Sequence, residues 1–209
     1  MFLPYISHFV KEILKIMKRL KDRNDGKKIY YAGIGSHSTP EDVLDIMVEL
    51  GYLLAEENYI LRSGGSPGAD TAFEAGAKKA DGQFEIYLPW DKFQDRSGDN
   101  YLDVRNLDNF NNAKRIAKKH HPNFAELSES AKLLITRDTY QVLGKDLTTP
   151  SKFVVCWTPD GCITDRDRSK ETGGTGQAIS IASRREIPIF NLKLKEHRRQ
   201  VEEWINKLS

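Results

Sequence analysis

Three glycine clusters hold the residues best suited to chemistry in this sequence: Gly33-Ile34-Gly35-Ser36, Arg62-Ser63-Gly64-Gly65-Ser66-Pro67-Gly68-Ala69-Asp70, and Thr172-Gly173-Gly174-Thr175-Gly176-Gln177. Glycine has no side chain to keep a phosphate from the backbone, and it reaches tight turn geometry cheaply. A helix start adds unpaired N–H groups and a partial positive charge. Together these make an anion site, to which the Ser63 and Thr175 hydroxyls can donate. Any one such cluster is equally at home in a plain turn. Three on the same edge of one sheet point to a phosphate-bearing ligand.

Charged residues flank these turns. Asp70 and Glu74 are four apart, so on a helix they share a face. Asp70 could cap its helix or grip ribose hydroxyls. Glu74 could activate water or simply form an ion pair. They are the carboxylates placed to assist N-glycosidic cleavage, which passes through an oxocarbenium-like sugar cation. Arg62 precedes the second cluster and Arg137 falls in the run ITRDTYQVLG. A guanidinium can fork onto phosphate oxygens or serve a structural salt bridge. Trp90 and Tyr140 could stack on a base or belong to the core.

Other chemistries are disfavoured. No GK[ST] follows the glycines, and GIGSHS lacks the third glycine of a dinucleotide fingerprint. No cluster of Cys, His and carboxylate has metal-ligand spacing, so neither a metal nor a cofactor is expected. No G-x-S-x-G elbow is present for a Ser-His-Asp triad.

The elements that must position these turns alternate. KKIYYAGIGS, YILRSGG, FEIYLPW, KFVVCWTPDG and IPIFNL read as five strands. Helices are expected from the cap Thr39 with Pro40 at the first position, from about 69 to 80, about 107–120, about 124–143, through TGQAISIASRREI, and through EHRRQVEEWINKL. DKFQDRSGDN reads as loop. This alternation predicts an α/β fold, a mainly parallel sheet with helices on both faces. Ligands of such sheets lie outside the carboxyl ends of the strands.

Residues 1–26 stand apart. Phe2, Ile6, Phe9, Ile13, Met17 and Leu20 form one helical stripe with a basic opposite face, and Asn24-Asp25-Gly26 closes it. The expected division is therefore an amphipathic basic helix over 1–26 and one domain over 27–209. The 209 residues suit that, and 32 basic against 30 acidic residues is weaker bias than nucleic-acid binders usually carry. No run approaches a membrane span of about 20 apolar residues. Without a signal-peptide pattern, a cytoplasmic protein with reduced Cys156 and Cys162 is the expectation.

On YAGIGS (31–36), LRSGGSPGADTAFEAGA (61–77) and GGTGQAISIA (173–182), the chain resembles the SLOG-type Rossmann-like nucleotide-binding superfamily. That group includes the LONELY GUY phosphoribohydrolases, the lysine-decarboxylase-like proteins and the Rossmann domain of the DNA-processing recombination mediator. The resemblance covers roughly 28–192, is most specific at SGG-x-x-GAD, and is to small phage and bacterial members. It implies a nucleotide or nucleotide-derived ligand at the glycine edge, sequestered or cleaved at its N-glycosidic bond. Carried over by position, Gly33, Gly35 and Ser36 form a first ligand loop; Ser63, Gly64, Gly65, Gly68 and Asp70 form a second. Gly173, Gly174, Thr175 and Gly176 form the phosphate-facing third, with Gln177 following. Arg137 corresponds to a functional arginine between glycine motifs. The resemblance also implies a homo-oligomer and, as the alternative function, single-stranded nucleic-acid binding. The chain departs from the phosphoribohydrolase pattern GG-x-GT-x-x-E: Gln177 stands at the Thr position and Ser180 at the Glu position.

Overall fold

The computed structural model describes residues Lys28–Leu208; the helix expected over 1–26 lies outside them. Within that span run β1 (Ile29–Gly33), α1 (Glu41–Glu56), β2 (Tyr59–Ser63), α2 (Ala69–Lys79), β3 (Phe84–Leu88), β4 (Tyr101–Asp103), α3 (Phe110–His120), α4 (Glu129–Leu143), β5 (Val154–Cys156), α5 (Thr175–Ser183), β6 (Ile189–Asn191) and α6 (Lys195–Leu208). The strands form one sheet in the order β4-β3-β2-β1-β5-β6, and every neighbouring pair is parallel. α1, α2 and α6 cover one face, while α3, α4 and α5 cover the other. The α/β class with helices on both faces is as expected. Strands covered on both faces must be apolar throughout, and all five residues of β2 are buried.

Local chemistry explains most boundaries. α1 buries Val43, Met47, Leu50, Leu53 and Leu54, a helical stripe, and carries Glu41 and Asp42 in its first turn, where the dipole favours them. Thr39 does not cap it: its hydroxyl donates to the Ser36 carbonyl at 2.7 Å, and Pro40 occupies the N-cap. β4 was not expected, because its three half-buried residues follow a long polar loop and sit at the sheet edge. The stretch expected as a single helix over 124–143 begins instead with a short 3₁₀ turn, Phe124–Glu126. Ser128 then accepts the Ala131 amide as the N-cap of α4.

The strand order places the site. From β1 the chain moves outward to β2, β3 and β4, then returns to lay β5 and β6 on β1's other side. β1 and β5 therefore flank the switch point, outside whose carboxyl ends a crevice forms.

Candidate ligand cavity

A cavity of about 280 Å³ occupies that crevice. Ile34, Gly35, Ser36 and His37 border it from the end of β1, Ser66 and Asp70 from the second turn, Leu134 to Gln141 from α4, and Thr172 to Thr175 from the third turn. Of the residues expected in the site, Gly35, Ser36, Asp70, Arg137, Gly173, Gly174 and Thr175 meet here. The first, second and third turns do converge on one rim. Their amides, however, are not equally available.

The first turn's amides are spent. The parallel ladder runs past the ends of β1 and β5: Ala32, Ile34 and Ser36 donate to the carbonyls of Phe153, Val155 and Trp157 at 3.0–3.1 Å. The Gly35 amide, beside the Asp70 carboxylate, favours its charged form against burial. A side chain at Gly35 would strike Ala69 Cβ at 2.7 Å. Gly33 is packed against Phe73 and lies outside the cavity.

The second turn is filled from within. Asp70, in the first turn of α2, accepts the Ser66 amide at 3.2 Å, and Arg137 Nη1 stands 3.8 Å from it. The protein's own carboxylate thus occupies the place an anionic ligand would take at that helix start. The turn's glycines serve packing. A Cβ on Gly64 would lie 2.1 Å from Arg137 Nη1, one on Gly65 would meet Arg96, and one on Gly68 would meet the Ser36 carbonyl at 2.7 Å. Ser63 is fully buried and donates to the Gly33 carbonyl at 2.6 Å, tying β2 to β1.

Two expected residues are elsewhere because other partners hold them. Arg62 is 2% exposed; it pairs with Glu85 at 2.9 Å, donates to the Thr149 carbonyl and stacks on Tyr30. Glu74, proposed for catalysis, takes Lys78 and the Tyr101 hydroxyl at 2.7 Å and Arg96 at 2.8 Å. Burial resists its ionisation, but those donors outweigh it and its pKa falls below the usual value. It is a structural ion-pair hub outside the cavity. Gln177 reaches the Ala117 carbonyl on α3 instead of the rim, and Gly176 is packed against Arg168 and Thr172. Tyr140 is core, stacked on Tyr87 with its hydroxyl on Asn109, and Trp90 packs edge-on against Phe93.

The cavity floor contains a group that sequence reasoning missed. Arg137 sends Nε and Nη2 to Asp138 Oδ1 at 3.1 and 2.9 Å, and Nη1 to the Gly64 carbonyl at 2.6 Å. Gln141, oriented so that both its amide atoms are satisfied, donates to Asp138 and accepts the Gly64 amide. Two buried carboxylates, Asp70 and Asp138, therefore flank one guanidinium. Burial pushes Asp138 up to about 7 despite Arg137, with Asp70's charge adding to the rise; burial also raises Asp70. A carboxyl poised there can hold or release a proton at neutral pH.

The third turn is different. Gly174 caps α5, is exposed, and a Cβ there would meet nothing within 4 Å. The first bonded turn of α5 uses the Gly176 and Gln177 amides, on the Gly173 and Gly174 carbonyls. The Gly174 and Thr175 amides precede it and have no partner among the described residues. Unlike α2, α5 carries no acidic residue in its first turn. Asp160 braces the approach: it accepts from the Thr158, Ser169 and Thr172 hydroxyls and the Cys162 amide, which hold its pKa down at about 2. Where the phosphoribohydrolase pattern has Glu, the fully buried Ser180 bonds His120 Nδ1 at 3.0 Å. Burial lowers the pKa of that histidine.

No family model matches the chain, and no curated protein does. Among solved structures, the molybdenum cofactor carrier protein of Chlamydomonas reinhardtii is 17% identical, aligned over 87% of this chain and 98% of its own, with TM-score 0.39. The molybdenum cofactor binding protein of Rippkaea orientalis is 18% identical over 86% and 98%, with TM-score 0.38. DNA processing protein A of Helicobacter pylori, described with its single-stranded DNA binding mode, is 14% identical over 91% and 82%, with TM-score 0.38. The fold assignment rests on the strand order and connectivity of this chain.

Proposed function

We propose that the protein binds a nucleotide or nucleotide-derived phosphorylated ligand in the β1–β5 crevice. One phosphate sits on the Gly174 and Thr175 amides, and the sugar faces Asp70 and Asp138. The observation that carries this reading is the open, uncompensated start of α5 directly across from a buried Arg137–Asp138–Asp70 floor. At about 280 Å³ the cavity is near the small end of the roughly 300–1,000 Å³ typical of ligand pockets, which suits a nucleoside rather than a larger cofactor. Calorimetric titration with nucleoside monophosphates tests it. Wild type should bind, and Gly174→Glu, which puts an anion on the open amides, should lose most of the affinity. Equal affinity in both would remove the phosphate from this position.

A second reading, hydrolysis of the ligand's N-glycosidic bond, is supported by one feature. Asp138 near neutrality could protonate a departing base, while Asp70 stabilises the sugar cation. Base release from nucleoside monophosphates, abolished in Asp138→Asn, would establish it; no release would leave a binder.

A further inference from the structure

Building on that nucleotide reading, we propose that the ligand carries two or more phosphates, and that those beyond the first lie in a cationic basin beside α5. The basin, about 840 Å³, shares Gly173 with the nucleoside cavity, so the open turn borders both. Lys118 and Lys119 border it from the end of α3, Arg168 and Lys170 from the loop that leads to the turn, and Arg184 from the end of α5. Asp165 is its lone carboxylate among the described residues; it pairs with Arg184 at 2.5 Å and stands 3.6 Å from Arg168. Arg168 also donates to the His120 carbonyl at 2.8 Å.

Lys118, Lys119 and Lys170 make no ion pair among the described residues, and all are exposed. The arginines of α6 are neutralised instead. On α6, Arg198 pairs with Glu202 and Asp42, and Arg199 with Glu196 and Glu203. Five basic side chains border the basin, and its three lysines have no carboxylates of their own among the described residues. Ammonium groups gathered without them repel one another, and a phosphate between them relieves that repulsion.

The occupant is an oligophosphate on a nucleoside rather than a nucleic-acid strand. The basin adjoins a pocket of about 280 Å³ floored by buried Asp70, Arg137 and Asp138, room for a terminal nucleoside and not for a continuing chain. A nucleoside at the end of a phosphate chain meets no such obstacle.

Titrations with AMP, ADP and ATP test the proposal, on wild type and on a Lys119→Ala/Lys170→Ala double variant whose Tm is checked against wild type. In wild type, affinity should rise about tenfold from AMP to ADP, with a steeper salt dependence for ATP. The double variant should lose about tenfold for ADP and ATP, and keep its AMP affinity. AMP and ATP binding equally tightly to wild type would overturn the proposal and leave the nucleotide reading standing. So would an oligonucleotide that outcompetes ATP at the same salt. Failure of every nucleotide to bind would instead defeat the reading beneath it.

Discussion

The second and third glycine turns look alike in sequence and do opposite things. Around Gly64–Gly68 the glycines let neighbouring groups approach to distances no Cβ would tolerate, and Asp70 fills the anion position at the helix start. At Gly173–Gly174 nothing crowds the backbone, and the first turn of α5 carries no acidic residue. Glycine thus admits a close approach by the protein itself in one turn and leaves the backbone open in the other. The discriminating signal is the first turn of the following helix: an aspartate there closes the site, and its absence leaves it open.

The largest expected effect comes from breaking the packed turn. Gly64→Ala puts a methyl group into the space of Arg137 and Gln141, and should cost on the order of 3 kcal/mol in denaturant unfolding. Next is the buried acid beneath it. Asp138 keeps its proton up to about 7 in the folded protein, against an ordinary 3.8. Between those values the folded state binds more protons than the unfolded one, so stability falls as pH rises from about 4 to about 7. Asp138→Asn should flatten that slope, gaining on the order of 2 kcal/mol relative to wild type across the range in pH-resolved unfolding curves. A wild-type slope that persists in the variant would point to another group.

Asp160 tests the open turn's support. Asp160→Asn weakens the brace on Thr172 and Ser169, and should lower Tm slightly, by about 1 kcal/mol of stability, while reducing monophosphate affinity about tenfold. The smallest effect should be Gly174→Ala. Its backbone is already helical and the space is empty, so stability should stay within about 0.5 kcal/mol of wild type. A large loss there would contradict the contrast between the two turns.

Much of the fold was legible because a sheet covered on both faces needs continuous apolar strands, such as YILRS, between amphipathic helices such as α1. β4 was not legible, since a three-residue edge strand after a polar loop leaves almost no pattern. In the site, Gly174 and Asp70 could be found from turn chemistry, and Arg137 from the resemblance. Asp138 could not: α4 is buried on all sides from Ile135 to Leu143, so periodicity assigns no face to its charged residues. Arg62 and Glu74 form the ion pairs that their sequence reading also allowed, and sequence could not choose between pair and site because Glu85, Arg96 and Tyr101 come from strands and loops distant from them.

Backbone amide NMR during titration with AMP would compare the turns directly. The Gly174 and Thr175 resonances should move progressively, while those of Gly33 and Gly65, outside the cavity, stay in place. Shifts at Gly33 and Gly65 with none at Gly174 would show that the anion is held by the packed turns and not by the open one.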